Sequence, residues 1–390
     1  MSHHLSHNKP KNFTVVHLVT PYLFHTGSWI YSQIKGLKSF NNLVFSQRSE
    51  NLEKFPYDKI FSSDDFLIFK KFINKVYRKL TDNYGLFFNK FVKKNNPVIF
   101  HAHMGHEGAR WLSFIKRTNK CLITTFYGHD VSQLGRLGYW KNKYSKLFSY
   151  GTFFLAEGSY LKQQLIELGC PEEKIIVQHL GVDIQKYPKK SFESQNHIKI
   201  IQICSFREKK GIEYSLEALA LLKKRFSDFT FTLIGGGEEF YTKKIDTLII
   251  SYGLEDNVFL PGIVSHQEML LELKNSDIFL HPSITAKDGD NEGGAPVIII
   301  EAAAIGLPVV STFHADIPEV VIHNKSGLLA DEGNSNQISE YLFELCGNFE
   351  LRRRMGLSAM EHIRLHYNLD LQLKKLESIY FDTIKMRIVK

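Results

Sequence analysis

Short apolar runs alternate along the chain with segments of helical spacing. Residues 13–19 (Phe-Thr-Val-Val-His-Leu-Val) predict a buried strand. A loop runs from Thr20 and Pro21 to Gly27, and Ser28 is placed to cap a helix over 29–37. Apolar runs at 43–46, 98–102, 122–126, 152–156 and 175–180 predict further strands with helices between them. After a polar, proline-bearing linker at 187–196 the alternation resumes. Strands are expected at 199–203, 229–234, 258–260, 278–280 and 309–311. Helices are expected at 211–225, 241–252, 267–275 and 296–305, and residues 336–390 read as mostly helical. This is an α/β pattern in which helices cover both faces of parallel sheets. The reading divides the chain into two doubly wound, Rossmann-like domains, 1–185 and 186–390. They face a central cleft at the carboxyl ends of their strands, and the last helix returns to the first domain.

Composition narrows the class. A chain of 390 residues accommodates two ordinary domains, and 43% hydrophobic with 23% charged residues fits a folded globular protein. The four cysteines, Cys121, Cys170, Cys204 and Cys346, show no metal-like pairing and suit a reducing cytoplasm. Residues 1–12 are polar and His-rich, expected as a frayed end with no secretory signal and no metal site. No apolar run is long enough to span a bilayer. The net charge of +8 favours anionic partners.

Candidate chemistry gathers at predicted strand ends. In 288–302 (Asp-Gly-Asp-Asn-Glu-Gly-Gly-Ala-Pro-Val-Ile-Ile-Ile-Glu-Ala), Glu292 and Glu301 stand on either side of a helix that Pro296 opens. Carboxylates accept hydrogen bonds from sugar hydroxyls, and free amides at a helix start hold an anion. Arg207, Lys209 and Lys210 crowd the end of the 199–203 strand, where they would neutralise a diphosphate. Gly235 and Gly236 read as a turn that lets backbone approach a ligand. No dinucleotide fingerprint is present, which argues against a nicotinamide oxidoreductase. In the first half, Tyr127-Gly-His-Asp130 follows a strand. His129 and Asp130 could handle a proton or orient an acceptor, against the plainer reading of a turn capped by Asp130. His101, His103 and His106 end another strand without a matching ligand cluster elsewhere; His103 is an acceptor-pocket candidate. Residues 69–80 place Phe69, Phe72, Ile73, Val76, Tyr77 and Leu80 on one helical face. Lys70, Lys71, Lys75, Arg78 and Lys79 lie opposite. This basic-aromatic character continues to residue 94. It suits an anionic membrane surface, but the favoured expectation is a helix packed on its own domain. No nucleic-acid module is recognisable.

Several motifs together resemble the bacterial retaining glycosyltransferases of family 4, of GT-B fold, especially those of colanic-acid, capsule and exopolysaccharide assembly. They are 158–162 (Gly-Ser-Tyr-Leu-Lys), 168–171 (Leu-Gly-Cys-Pro), 179–183 (His-Leu-Gly-Val-Asp), 209–211 (Lys-Lys-Gly), 292–301 and 314–321 (His-Ala-Asp-Ile-Pro-Glu-Val-Val). The resemblance implies roles. Glu301 would bind the nucleotide ribose. Glu292 with the amides of Gly293, Gly294 and Ala295 would bind the donor sugar. Lys210 would hold the diphosphate, and Asp130 would lie near the reacting groups. Asp130, His129, Lys210 and Glu292 are thus the catalytic candidates. Gly27, Arg207, Gly235 and Gly236 join the donor-binding set, and His103, Tyr127 and His129 form the acceptor set. The chain departs from the family where eight residues, 293–300, separate the glutamates in place of the usual seven. Ser205 stands for the usual arginine, with Arg207 as its candidate replacement, and Tyr127 stands for the usual histidine.

The expected function is transfer of a hexose from a UDP- or GDP-sugar to a lipid-linked saccharide with retention, without metal or other cofactor. The protein would be cytoplasmic or peripheral on the inner face of the membrane. A non-catalytic, nucleotide-sugar-binding accessory subunit is the second reading.

Overall fold

The computed structural model describes residues 13–24, 27–194 and 196–388. The His-rich start at 1–12 lies outside them. Among the described residues thirteen strands form two all-parallel sheets. The first contains β1 (Thr14–Leu18), β2 (Asn41–Ser46), β3 (Ile60–Ser62), β4 (Ile99–His103), β5 (Cys121–Thr125), β6 (Phe153–Ala156) and β7 (Ile175–Val177), in the order β3-β2-β1-β4-β5-β6-β7. The second contains β8 (Ile198–Phe206), β9 (Phe229–Gly237), β10 (Val258–Gly262), β11 (Ile278–His281), β12 (Val309–Thr312) and β13 (Gly327–Ala330), in the order β10-β9-β8-β11-β12-β13. The architecture is two doubly wound α/β halves, as the chain's pattern predicts, in the arrangement that the resemblance implies.

Strand order reverses beside β1 in one sheet and beside β8 in the other, which opens a crevice at the carboxyl ends of β1/β4 and of β8/β11. Strands covered on both faces read as unbroken apolar runs, so every residue of β1, β4, β11 and β12 is buried. The helix Val297–Ile305 is apolar nearly all round for the same reason, with Glu301 its one charged residue. The last helix, Leu369–Ile388, crosses back to the first sheet. Its Leu373, Leu376, Ile379 and Tyr380 pack on Val15, Ile99, Ile123 and Leu155.

Three local expectations are corrected. The helix Ser28–Gly36 has Gly27 at its N-cap and no side-chain cap, so Ser28 is helical and does not cap it. Residues 235–237 are not a turn: they continue β9 and pair with Cys204, Ser205 and Phe206 of β8. Gly235 has φ +142°, and a Cβ there would lie 1.8 Å from the Cys204 carbonyl oxygen, so the close approach its glycine permits is to a neighbouring strand. The short strands β3 and β13 had no distinct signal in the pattern.

Candidate functional site

The second sheet builds a charged hub at its crevice edge. After β8 the chain makes a 3-10 turn, Glu208–Lys210, and enters the helix Ile212–Lys223 through Gly211. Gly211 has φ +63°, and a Cβ there would come within 1.8 Å of the Pro282 carbonyl oxygen. Glycine thus lets the β8 turn close on the loop after β11. That closure aims three cations at the 288–292 loop. Arg207 meets Asp290 at 2.8 Å. Lys209 Nζ meets Asp290 Oδ1 at 3.1 Å and donates to the Asn291 carbonyl at 2.9 Å. Lys210 Nζ reaches both oxygens of Glu292, at 2.7 and 2.9 Å.

Glu292 is therefore an anchor as well as a candidate ligand. Its carboxylate also accepts from Ser283 Oγ at 2.8 Å and lies 3.7 Å from His281 Nε2. Its amide donates to His314 Nε2 at 3.1 Å, and His314 Nδ1 is held by Glu332 at 2.6 Å. Burial pushes the Glu292 carboxyl up, but Lys210, His281 and Lys209 override it and hold it well below the usual carboxylate range. Beyond Glu292 the chain offers unpaired donors. The amides of Gly293, Gly294, Val297 and Ile298 find no acceptor among the described residues. Ala295 packs into the apolar cluster beneath. Glu301 is half-buried and accepts from the Tyr187 hydroxyl at 3.1 Å; burial pushes its carboxyl up to about 7.

The first sheet presents a different surface. Asp130, expected near the reacting groups, is 1% exposed, and both of its oxygens are engaged. Oδ2 accepts from the Gly105 amide at 2.7 Å and Oδ1 from the Tyr127 amide at 3.1 Å. It ties the β5 turn to the start of the helix Gly105–Thr118. His129 is exposed beside it. Gly27, expected to bind the donor, has its amide committed to the Phe24 carbonyl at 2.8 Å.

Tyr127 and His103 belong to a buried network that includes a residue the sequence did not single out. His17 on β1 lies beside His101 and His103 on β4, and ring nitrogens of the three lie within 4.8 Å of one another. Asn42 Nδ2 donates to the carbonyls of Ile34 and Leu37, which fixes its Oδ1 as an acceptor. The bonds then run one way. Tyr127 donates to His103 Nδ1 (2.9 Å), His103 Nε2 to His17 Nδ1 (3.1 Å), and His17 Nε2 to Asn42 Oδ1 (3.3 Å). His101 is held by Tyr380 (2.6 Å) and Thr125 (2.7 Å). Burial lowers all three histidines, His17 to about 4, so they are neutral at physiological pH. His103 is a core residue behind Tyr127 and does not line an open pocket.

Across the crevice the sheets touch through loops. A Cβ at Gly293, where φ is +72°, would lie 2.0 Å from the Gly128 Cα. Asp316 accepts from the Tyr160 amide (2.7 Å) and Glu319 from the Ser159 amide (2.6 Å), so two acids of the second half cap the helix Ser159–Glu167 of the first. Gln133 meets Asp288 at 3.1 Å.

The basic-aromatic helix reverses the expectation of internal packing. The helix Ile68–Thr81 turns Asn74 inward, where it donates to Gln47 at 2.8 Å, and leaves its apolar face in solvent. Ile68 is 87% exposed, Phe69 74%, Phe72 65% and Leu80 79%. Gln47 directly follows β2, so this face flanks the crevice side of the sheet.

Residues 183–362 match the family model for glycosyl transferases group 1, and residues 44–186 match that for glycosyltransferase family 4. The amylovoran biosynthesis glycosyltransferase AmsK of Erwinia amylovora is 34% identical over 72% of this chain and 69% of its own length. The putative colanic acid biosynthesis glycosyltransferase WcaL of Escherichia coli is 36% identical over 63% of this chain and 60% of its own. Among solved structures, Anabaena HepE in complex with UDP and glucose superposes with a TM-score of 0.76 at 17% identity, covering 95% of this chain and all of that one. A glycosyltransferase from Rickettsia africae gives 0.75 at 21% identity, covering 96% and 99%.

Proposed function

The chain belongs to the glycosyltransferases of group 1 and family 4, and from that premise we propose that it moves a hexose from a UDP- or GDP-sugar to a lipid-linked saccharide, with retention, in exopolysaccharide assembly. The observation that carries the reading is the pairing of Lys209 and Lys210 with the unpaired amides of Gly293, Gly294, Val297 and Ile298 on one crevice edge. A diphosphate bound there exchanges Lys210's bond to Glu292 for a shared one, and the ammonium and amides stabilise the charge that develops as the nucleoside diphosphate leaves. Glu301 takes the ribose hydroxyls. In a front-face displacement the acceptor oxygen bonds to the anomeric carbon as the bond to the phosphate oxygen breaks, and the acceptor proton passes to that oxygen. These cations do the work of a metal ion in this scheme.

The same reading gives the exposed helix a purpose. Among the described residues no helix is long and apolar enough to cross a membrane. An apolar face flanked by Lys70, Lys71, Lys75 and Lys79 suits the headgroup region of an anionic bilayer at the membrane's inner face, where a lipid-linked acceptor resides.

A panel of nucleotide-sugars, read by thermal shift and by release of nucleoside diphosphate, tests the assignment with wild type and Glu301→Ala. Stabilisation by one donor and its loss in the variant are expected; no response to any donor refutes it. A non-catalytic nucleotide-sugar-binding subunit is favoured by one observation, the full engagement of Asp130. Donor binding without release of nucleoside diphosphate across acceptors would select that reading.

A further inference from the structure

One carboxyl at the junction of the two sheets has no partner among the described residues. Glu157 follows β6 and precedes the helix Ser159–Glu167, and it is 9% exposed. Its backbone carbonyl accepts from His179 Nδ1 at 2.7 Å. Its carboxyl makes no hydrogen bond and no ion pair among the described residues. Oε2 lies over Gly294 of the facing loop: a Cβ there would sit 2.0 Å from it. Burial pushes this carboxyl well above the usual range, and the neighbouring acids Asp316 and Asp130 push it further. Burial pushes the Tyr127 phenol well above its usual range, and the neighbouring Glu157 adds to that.

The carboxyl is nearly buried, yet neither oxygen is sealed from the crevice, so a ligand entering there can supply the donors that the protein does not. The surroundings choose among ligand classes. A diphosphate would be repelled by three acids. A divalent cation needs convergent ligands, and among the described residues the one convergent group of three is the histidine cluster in the core. A neutral polyol donates hydrogen bonds without bringing charge. We propose that Glu157 binds a saccharide hydroxyl at the domain junction, opposite the Lys210 edge, and so takes part in choosing the sugar. This rests on the glycosyltransferase reading. The hydroxyl belongs either to the donor sugar or to the acceptor, and the chemistry is the same.

The test compares full-length wild type, Glu157→Gln and Glu157→Ala. Calorimetry gives the preference for UDP-glucose over UDP and for GDP-mannose over GDP, and kinetics gives the acceptor KM at saturating donor. Glu157→Ala is expected to melt higher than wild type without ligand, because it removes an unpaired, nearly buried polar group, whereas Glu157→Gln keeps one and should melt close to wild type. They should also weaken sugar recognition about tenfold or more, the effect of losing one hydrogen bond to a buried polar group. The loss falls on the nucleotide-sugar preference if the donor sugar is held, and on the acceptor KM if the acceptor is held. Binding of UDP or GDP alone stays unchanged. Variants that melt lower, with preference and KM intact, would mark Glu157 as structural and overturn the inference alone. A wild type that neither prefers any nucleotide-sugar over its nucleotide nor turns one over would overturn the function reading and this inference together.

Discussion

Replacing Glu292 with Gln isolates the charge at the hub. The side chain is 6% exposed and touches Lys210 at 2.7 Å, Ser283 at 2.8 Å and His281 at 3.7 Å. Gln keeps the volume and one acceptor oxygen but leaves the Lys210 ammonium, itself 14% exposed, without its counter-charge. Removing one partner of a buried ion pair costs about 3–5 kcal/mol. Lys210 retains some solvent and one hydrogen bond, so the lower figure of about 3 kcal/mol applies. For a domain of this size that corresponds to a melting point lower by about 6–12 °C. The pH dependence carries a sign. Glu292 is held well below its unfolded value of about 4.3, so its contribution is full above that pH and is lost as pH falls through the folded value. Urea unfolding of wild type and variant across pH is the assay. The gap should be constant from about pH 5 upward and close only in stronger acid. A gap under about 1 kcal/mol at neutral pH, the range of an exposed ion pair, would refute the view of Glu292 as a buried anchor.

Lys210→Ala should weaken nucleoside-diphosphate binding about tenfold to hundredfold while leaving the acceptor KM unchanged, by calorimetry and kinetics; equal losses would contradict its assignment to the diphosphate. Glu301 titrates the other way from Glu292. Its carboxyl is raised to about 7, so wild-type stability should decline as pH rises from about 4.3 through about 7. Glu301→Gln should remove that decline, about 3–4 kcal/mol at most in urea unfolding; parallel pH profiles would show that burial does not shift this acid. Reversing the charge of Lys70, Lys71, Lys75 and Lys79, or replacing Phe69 and Phe72 with Ser, should abolish sedimentation with phosphatidylglycerol vesicles; unchanged pelleting would remove the membrane assignment.

Much of the fold was legible because parallel strands covered on both faces leave a plain mark: mainly apolar runs such as 13–19, with helices between them. The runs located eleven strands to within a few residues. The crevice edge was legible for Arg207, Lys210, Glu292 and Glu301, because turn residues and charges follow those runs directly. Pairings were not. That Lys210 closes on Glu292 depends on Gly211 fitting against Pro282, a contact between segments some 70 residues apart in sequence. Asp130's bond to the Tyr127 amide lies within its own motif, while its bond to the Gly105 amide was not legible because that amide comes from another strand's loop. His17 carried no signal at all, since an imidazole among the apolar residues of a strand reads like any buried polar group.

The sequence alone determined the alternation of strand and helix, the two-part division of its pattern and the kinds of charge at each strand end, since these follow from local periodicity and composition. Tertiary structure decided which charges neutralise one another, that Glu157 is left without a partner among the described residues, and that the helix Ile68–Thr81 turns Asn74 inward and Phe69 outward. The reason is geometric: burial and pairing are set by contacts between distant segments, and a helical stripe of apolar residues has the same period whether it faces the core or the solvent.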